Sequence, residues 1–92
     1  MKTFYLNFVE EFVLNPDYEG YRAGRVEIFQ ETPQESPYAI DEYRFFYPRE
    51  KEKAFDIFRD KWDFKSLNEE ELIKFKEFLQ KEYYDTDNLY NN

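Results

Sequence analysis

The chain contains no cysteine and no histidine. Without cysteine there is no disulfide, zinc ribbon, iron–sulfur ligation or thiol nucleophile. Without histidine the commonest general base and the commonest transition-metal ligand are missing as well. Serine is confined to Ser36 and Ser66. What remains is carboxylate, lysine, tyrosine and hydroxyl chemistry, so the expectation is a protein that is not an enzyme, with no catalytic residues and no cofactor. The apolar runs fall far short of the ~20 residues of a membrane-spanning helix. Met1 to Leu14 has a signal-peptide flavour, but Glu10 and Glu11 interrupt it and no small-residue cleavage site follows. A soluble, cytoplasmic chain without a membrane partner is expected.

What the sequence holds in quantity is aromatic side chains and negative charge. Phe (11) and Tyr (9) dominate an aromatic content of 23%, and 21 acidic against 13 basic residues leave a net charge of -8. High net charge alone can keep a chain unfolded. Bulky aromatics supply enough apolar surface for a modest core, and 92 residues suit a single domain, residues 1–92. Residues with A/T-rich codons outnumber those with G/C-rich codons by more than two to one, which points to an A+T-rich genome.

Alternation along Thr3–Leu14 places Phe4, Leu6, Phe8, Phe12 and Leu14 on one face and predicts a strand, bulged where Glu10 and Glu11 break the pattern. The i, i+4 spacing of Phe4, Phe8 and Phe12 leaves a helix open as the alternative. Asn15-Pro16-Asp17-Tyr18-Glu19-Gly20 supplies hairpin-loop chemistry. Tyr21–Thr32 reads as a second strand with Val26 and Ile28 on one face. Gly24 within it marks a bulge or a close backbone approach. Thr32–Pro37, with two prolines, is a loop. Tyr38–Tyr47 is a third strand ended by Pro48, with Tyr43, Phe45 and Tyr47 on one face. Both Tyr43 and Tyr47 are expected in the core.

After Pro48 the period becomes helical. Ala54, Ile57, Phe58 and Trp62 form an apolar arc, with Phe55 at its margin. Following a break at Asp63–Lys65, Ser66-Leu67-Asn68-Glu69 has the form of a capping box. Leu72, Phe75, Leu79 and Tyr83 make the stripe of a second helix, flanked by Ile73 and Phe78. Residues 85–92 form a polar tail. Strands followed by helices give an α+β domain. Its antiparallel sheet of about three N-terminal strands carries two C-terminal helices on one face, and the other face is left partly to water. Phe55, Phe58, Trp62, Leu72, Phe75 and Leu79 are expected to share one core, with Phe58→Ala costing about 3 to 5 kcal/mol.

The acidic excess lies in residues 1–48 and 66–92, whereas 49–65 is close to neutral. An acidic surface repels nucleic acid and lipid headgroups and attracts basic partners. Carboxylates spaced over a surface can take the places of phosphates in a basic channel. The residues assigned to partner binding are Asp17, Tyr18 and Glu19 in the hairpin loop, Glu69, Glu70 and Glu71 at a helix start, and Tyr84, Asp85, Asp87 and Tyr90 at the C-terminal end. Tyrosines beside loops, Tyr21 and Tyr38 among them, offer rigid apolar area with a polar tip. The same acidity would equally serve solubility alone.

Other chemistries find less support. Asp85-Thr86-Asp87-Asn88 resembles the opening of a calcium loop, but Tyr90 stands where glycine is needed, so no metal is expected. Glu10 with Glu11, and Asp41 with Glu42, are strand neighbours that point to opposite faces and do not converge. Arg49, Lys51, Lys53, Arg59, Lys61 and Lys65 are interleaved with Glu50, Glu52, Asp56, Asp60 and Asp63, a mixed solvated face rather than a nucleic-acid stripe.

In size, acidity, exposed aromatics and A+T-rich coding the chain resembles the small inhibitors with which phages and mobile elements disarm host defence nucleases, including anti-CRISPR and anti-restriction proteins. The resemblance is one of composition, carries no motif and transfers no residue. It implies a monomer or homodimer that occludes a basic, nucleic-acid-binding protein surface without touching nucleic acid. The other expectation is a housekeeping interaction module or small regulatory subunit, docking through apolar contact on the open sheet face.

Overall fold

The computed structural model describes residues 2–31, 38–63 and 65–84. Three strands, β1 (Thr3–Glu11), β2 (Tyr21–Glu31) and β3 (Asp41–Pro48), are followed by α1 (Glu52–Trp62) and α2 (Glu69–Tyr83). Short 3-10 turns occupy Pro16–Tyr18 and Arg49–Lys51. The sheet is antiparallel in the order β1-β2-β3, and the arrangement is α+β, as the patterning predicts.

Residues 3–14 begin as a strand and do not form a helix, because the alternating face of Phe4, Leu6 and Phe8 finds Ile28 and Val26 on β2 to extend it. The β1–β2 register runs unbroken from Thr3↔Glu31 to Glu11↔Ala23, so the expected bulge at Glu10 and Glu11 is absent. β1 ends there instead, and Phe12 and Leu14 lie outside the strand. The predicted loop at 32–37 lies outside the described residues.

One sheet face is covered by the helices. Phe4, Leu6, Val26, Ile28, Phe45 and Tyr47 meet Phe55 and Phe58 of α1 and Leu72, Phe75, Leu79 and Tyr83 of α2. Trp62 packs against this cluster half-buried, as does Tyr43, whose ring lies under the Lys76 ammonium at 4.8 Å. Phe55, fully buried, is central: its ring lies 4.5 Å from Tyr47, 4.7 Å from Phe45 and 5.1 Å from Tyr83.

Here the helical wheel drawn from sequence needs correction. Ala54 and Ile57 face solvent, Ile57 with 72% exposure, and Phe55 moves from margin to centre. Phe58 and Trp62 fit either arc. Turning the helix so that Phe55 points inward buries a large ring in place of a small Ala and a β-branched Ile. Two ion pairs join the helix to the sheet in that rotation, Glu52 with Arg22 (3.1 Å) and Arg59 with Glu10 (3.6 Å).

The capping box is also displaced by two residues. Leu67 forms an isolated bridge with Phe4, with N–H···O bonds of 2.8 and 2.9 Å. That pairing holds the chain extended and delays the helix. Asn68 is therefore the N-cap: its Oδ1 accepts from the Glu71 N–H (2.8 Å) and the Glu71 carboxylate accepts from the Asn68 N–H (3.2 Å). Asn68→Ala is expected to cost about 0.5 to 2 kcal/mol. Ser66→Ala should stay within about 0.5 kcal/mol, and urea denaturation of the two variants separates the frames.

At the other end of α2, Tyr84 bridges Phe46 on the outer edge of β3. The helix thus crosses the sheet diagonally, from the free edge of β1 to that of β3. The lengths agree: Leu67 to Tyr84 spans about 25 Å at 1.5 Å per residue. The two bridge points are two strands and seven residues apart, also about 25 Å.

Candidate functional site

The diagonal course of α2 decides which charged groups become neighbours. Its start lies at the sheet end where Phe4 pairs with Gln30, and its finish lies at the opposite end, near the β1–β2 hairpin. Among the residues assigned to partner binding, Asp17, Tyr18, Glu19 and Tyr84 therefore gather at one end. Glu69, Glu70 and Glu71 sit at the other. Asp85, Asp87 and Tyr90 lie outside the described residues.

The hairpin end is built from the turn upward. Pro16 opens a 3-10 turn in which the Asn15 side chain accepts from the Asp17 N–H at 3.0 Å. This turn brings Tyr18 back over the open sheet face. There Tyr21 stacks on Phe46 at 4.7 Å with the rings 4° from parallel, and Tyr18 meets both edge-on at 5.8 and 5.4 Å. The cluster explains why Phe46 is buried although it points away from the helices. Tyr18 and Tyr84 are accordingly half-buried, each meeting Phe46, with only part of their surface offered outward.

Two contacts add further elements to this end. The Arg49 N–H donates to the Gly20 carbonyl at 2.8 Å, bringing the turn that carries Glu50 beside the hairpin. Lys51 Nζ donates to the Glu82 carbonyl at 3.0 Å and draws in the last turn of α2. The chain at Asp17, Glu19, Glu50 and Glu82 is thus brought to the end that holds the aromatic cluster, together with Arg49 and Lys51, and none of the four carboxylates forms an ion pair among the described residues. Beside them Phe12 and Leu14 stand almost wholly in solvent, 94% and 89% exposed.

Four of the five arginines are engaged by carboxylates of the fold, and Arg49, exposed beside the hairpin, is the exception among the described residues. On the open face Arg25 holds Glu11 at 2.9 Å, Glu27 at 3.6 Å and Glu42 at 3.8 Å, while Arg44 reaches Glu11 at 3.0 Å. Asn7 also donates to Glu27 at 2.9 Å. Arg22 and Arg59 tie α1 to the sheet, Arg59 also lying 3.4 Å from Asp56 and 3.6 Å from Asp60. The centre of the open face is thus an ion-pair lattice. Glu10 turns toward α1 and Glu11 toward the open face, so these carboxylates do not converge.

The hydrogen bond from Arg25, opposed by partial burial and supported by Arg44, holds the Glu11 carboxyl below its ordinary value of 4.5. A depressed carboxyl stabilises the fold above its unfolded pKa and loses that contribution as pH falls through the folded value. Stability should therefore decline below about pH 4.5, and Glu11→Gln should flatten that part of the profile in acid titrations followed by circular dichroism. Burial raises the Tyr47 and Tyr83 hydroxyls above their ordinary value, so both stay neutral through the physiological range.

At the far end, Glu69 pairs with Lys2 at 3.8 Å and Glu70 with Lys74 at 3.6 Å, while Glu71 completes the cap. Their charge is partly answered by the chain itself. Sequence reasoning missed Phe12, Leu14, Glu50 and Glu82. A signal for the first two existed: the adjacent carboxylates of Glu10 and Glu11 mark where the core face stops, so apolar residues beyond them have no layer to enter.

No family model, curated protein or solved structure matches the chain. Among the described residues, no three His, Cys, Asp or Glu side chains are grouped as a metal ion would require. No helix there is long and apolar enough to cross a membrane.

Proposed function

We propose that this chain is a non-enzymatic binding protein that occludes a basic, nucleic-acid-binding surface of another protein. In this reading it inhibits a host defence enzyme in the manner of anti-CRISPR or anti-restriction proteins. The observation that carries the reading is the division of charge. Arg22, Arg25, Arg44 and Arg59 are held by carboxylates of the fold, whereas Asp17, Glu19, Glu50 and Glu82 lie toward one end without ion pairs and outnumber the Arg49 and Lys51 that lie there with them. Unpaired carboxylates around rigid aromatics are complementary to the Lys and Arg side chains that line a nucleic-acid channel.

The test compares two charge-neutral variants for binding to the partner captured from the organism that carries the gene. Asp17→Asn, Glu19→Gln, Glu50→Gln and Glu82→Gln together are expected to weaken binding by about tenfold or more at low salt. Glu69→Gln with Glu70→Gln should change it by less than about threefold. Equal effects would remove the hairpin end as the site, and no effect of either would overturn the reading.

One observation favours the housekeeping interaction module instead, namely the exposure of Phe12 and Leu14. If these alone anchor the partner, affinity is indifferent to the four-carboxylate variant and falls only on Phe12→Ala with Leu14→Ala.

A further inference from the structure

The opposite tendency in charge appears at a second place. Between α1 and α2 lies a cleft of about 280 Å³, lined by Phe58, Lys61, Trp62, Glu71, Lys74, Phe75 and Phe78. Its floor is aromatic and ordered: Phe58 stacks on Phe75 at 5.4 Å, Phe78 leans on Phe58 at 5.1 Å, and Trp62 meets Phe75 edge-on at 5.8 Å. Its mouth is cationic. The ammonium groups of Lys61 and Lys65 lie over the Trp62 ring at 5.6 and 5.3 Å, and Lys74 stands on the facing helix.

The two acids on the α2 side of the mouth are already engaged. The Glu71 carboxylate turns back to the Asn68 N–H, and Glu70 shares Lys74 at 3.6 Å. Lys61 and Lys65 have no carboxylate within ion-pair distance among the described residues. What sets these two cations apart is their place, over an aromatic ring at the edge of an apolar cleft.

We infer that this cleft binds a small amphipathic anion, a flat apolar body ending in a single carboxylate. The volume falls just below the ~300–1,000 Å³ typical of small-molecule sites, which suits one ring and a short tether. The ring enters over Phe58 and Phe75, displacing water from apolar surface. The carboxylate stays at the mouth between Lys61 and Lys74, where a charged group keeps part of its hydration and avoids the desolvation penalty of full burial. A cationic head in the same place meets like charge. The site is separate from the hairpin end and does not depend on the reading given there.

Trp62 is the chain's one tryptophan, so its fluorescence and its indole N–H resonance report occupancy directly. The intact chain is titrated with three molecules of one shape, 3-phenylpropionate, 3-phenylpropanol and 3-phenylpropylamine. The carboxylate is expected to give a saturable Trp62 response below about 10 mM. It should bind at least about tenfold more tightly than the amine, with the alcohol between them. Lys61→Gln with Lys74→Gln, both substitutions at the cleft mouth, should retain the parental near-UV circular dichroism and reduce that preference to less than about threefold. A carboxylate that produces no saturable response overturns the inference. So does an amine that binds equally well, or an anion preference that survives in the folded double variant.

Discussion

Phe55→Ala is expected to lower stability by about 3 to 5 kcal/mol. For a domain of this size that corresponds to a fall of about 15 °C or more in Tm. Phe55 has no exposed surface, and its ring is in contact distance of Phe8, Phe45, Tyr47, Phe58 and Tyr83. Truncation removes the transfer energy of a whole ring and leaves a cavity whose walls come from the sheet and both helices. These walls cannot close without moving three elements at once. Against a total stability of about 5 to 15 kcal/mol, the loss is a large fraction. Ile57→Ala, two residues on in the same helix, should cost less than about 0.5 kcal/mol because the side chain is in solvent. Phe58→Ala belongs with Phe55→Ala. If Ile57→Ala proved the severe variant and Phe55→Ala the silent one, α1 would be turned as the sequence pattern first suggests.

Gly24→Ala should cost about 1 to 3 kcal/mol, although alanine favours a strand over glycine and restricts the unfolded chain. A methyl group at Gly24 would collide with the Val9 carbonyl oxygen and with the edge of the Phe45 ring. The ring cannot step aside, since it is buried between Phe8, Tyr47 and Phe55. The carbonyl belongs to β1, so relief there means prising β1 from β2 near the Glu10↔Gly24 pair. The entropic gain of about 0.4 to 1 kcal/mol does not offset such a shift. Gly20→Ala is the control, because nothing lies within 4 Å of the position its methyl would take. Denaturant midpoints for the two variants should therefore separate clearly, and a Gly24→Ala protein as stable as the parent would mean that the strands pack more loosely there.

Much of this architecture was legible because strands and helices repeat their apolar residues at different periods. Alternation in Phe4–Leu6–Phe8 and Val26–Ile28, the change of period after Pro48, and the stripe Leu72–Phe75–Leu79–Tyr83 depend only on local spacing. Gly24, read as a bulge or a close backbone approach, is the close approach, beside the Val9 carbonyl and the Phe45 ring. The errors arose where a distant partner chose between equivalent local frames. Ser66 and Asn68 both offer a capping side chain, and the pairing of Leu67 with Phe4, more than sixty residues away, selects Asn68. The arcs through Ile57 and through Phe55 share Phe58 and Trp62, and the sheet selects Phe55. The candidate site was half legible. Asp17, Tyr18 and Glu19 stand together in the hairpin loop, but that Glu50 and Glu82 join them depends on the Arg49–Gly20 and Lys51–Glu82 hydrogen bonds, which no local pattern encodes. The same diagonal helix carries Glu69–Glu71 away from them.

Titrating the purified complex with salt and with duplex DNA or RNA decides whether the hairpin end substitutes for nucleic acid on a basic partner, as we propose. Affinity should fall by about tenfold or more between about 50 and 200 mM salt, and nucleic acid should displace the chain in proportion to its own affinity for the partner. A complex whose affinity stays constant across that range and that binds nucleic acid alongside the chain would mean that the hairpin end does not occupy a nucleic-acid site.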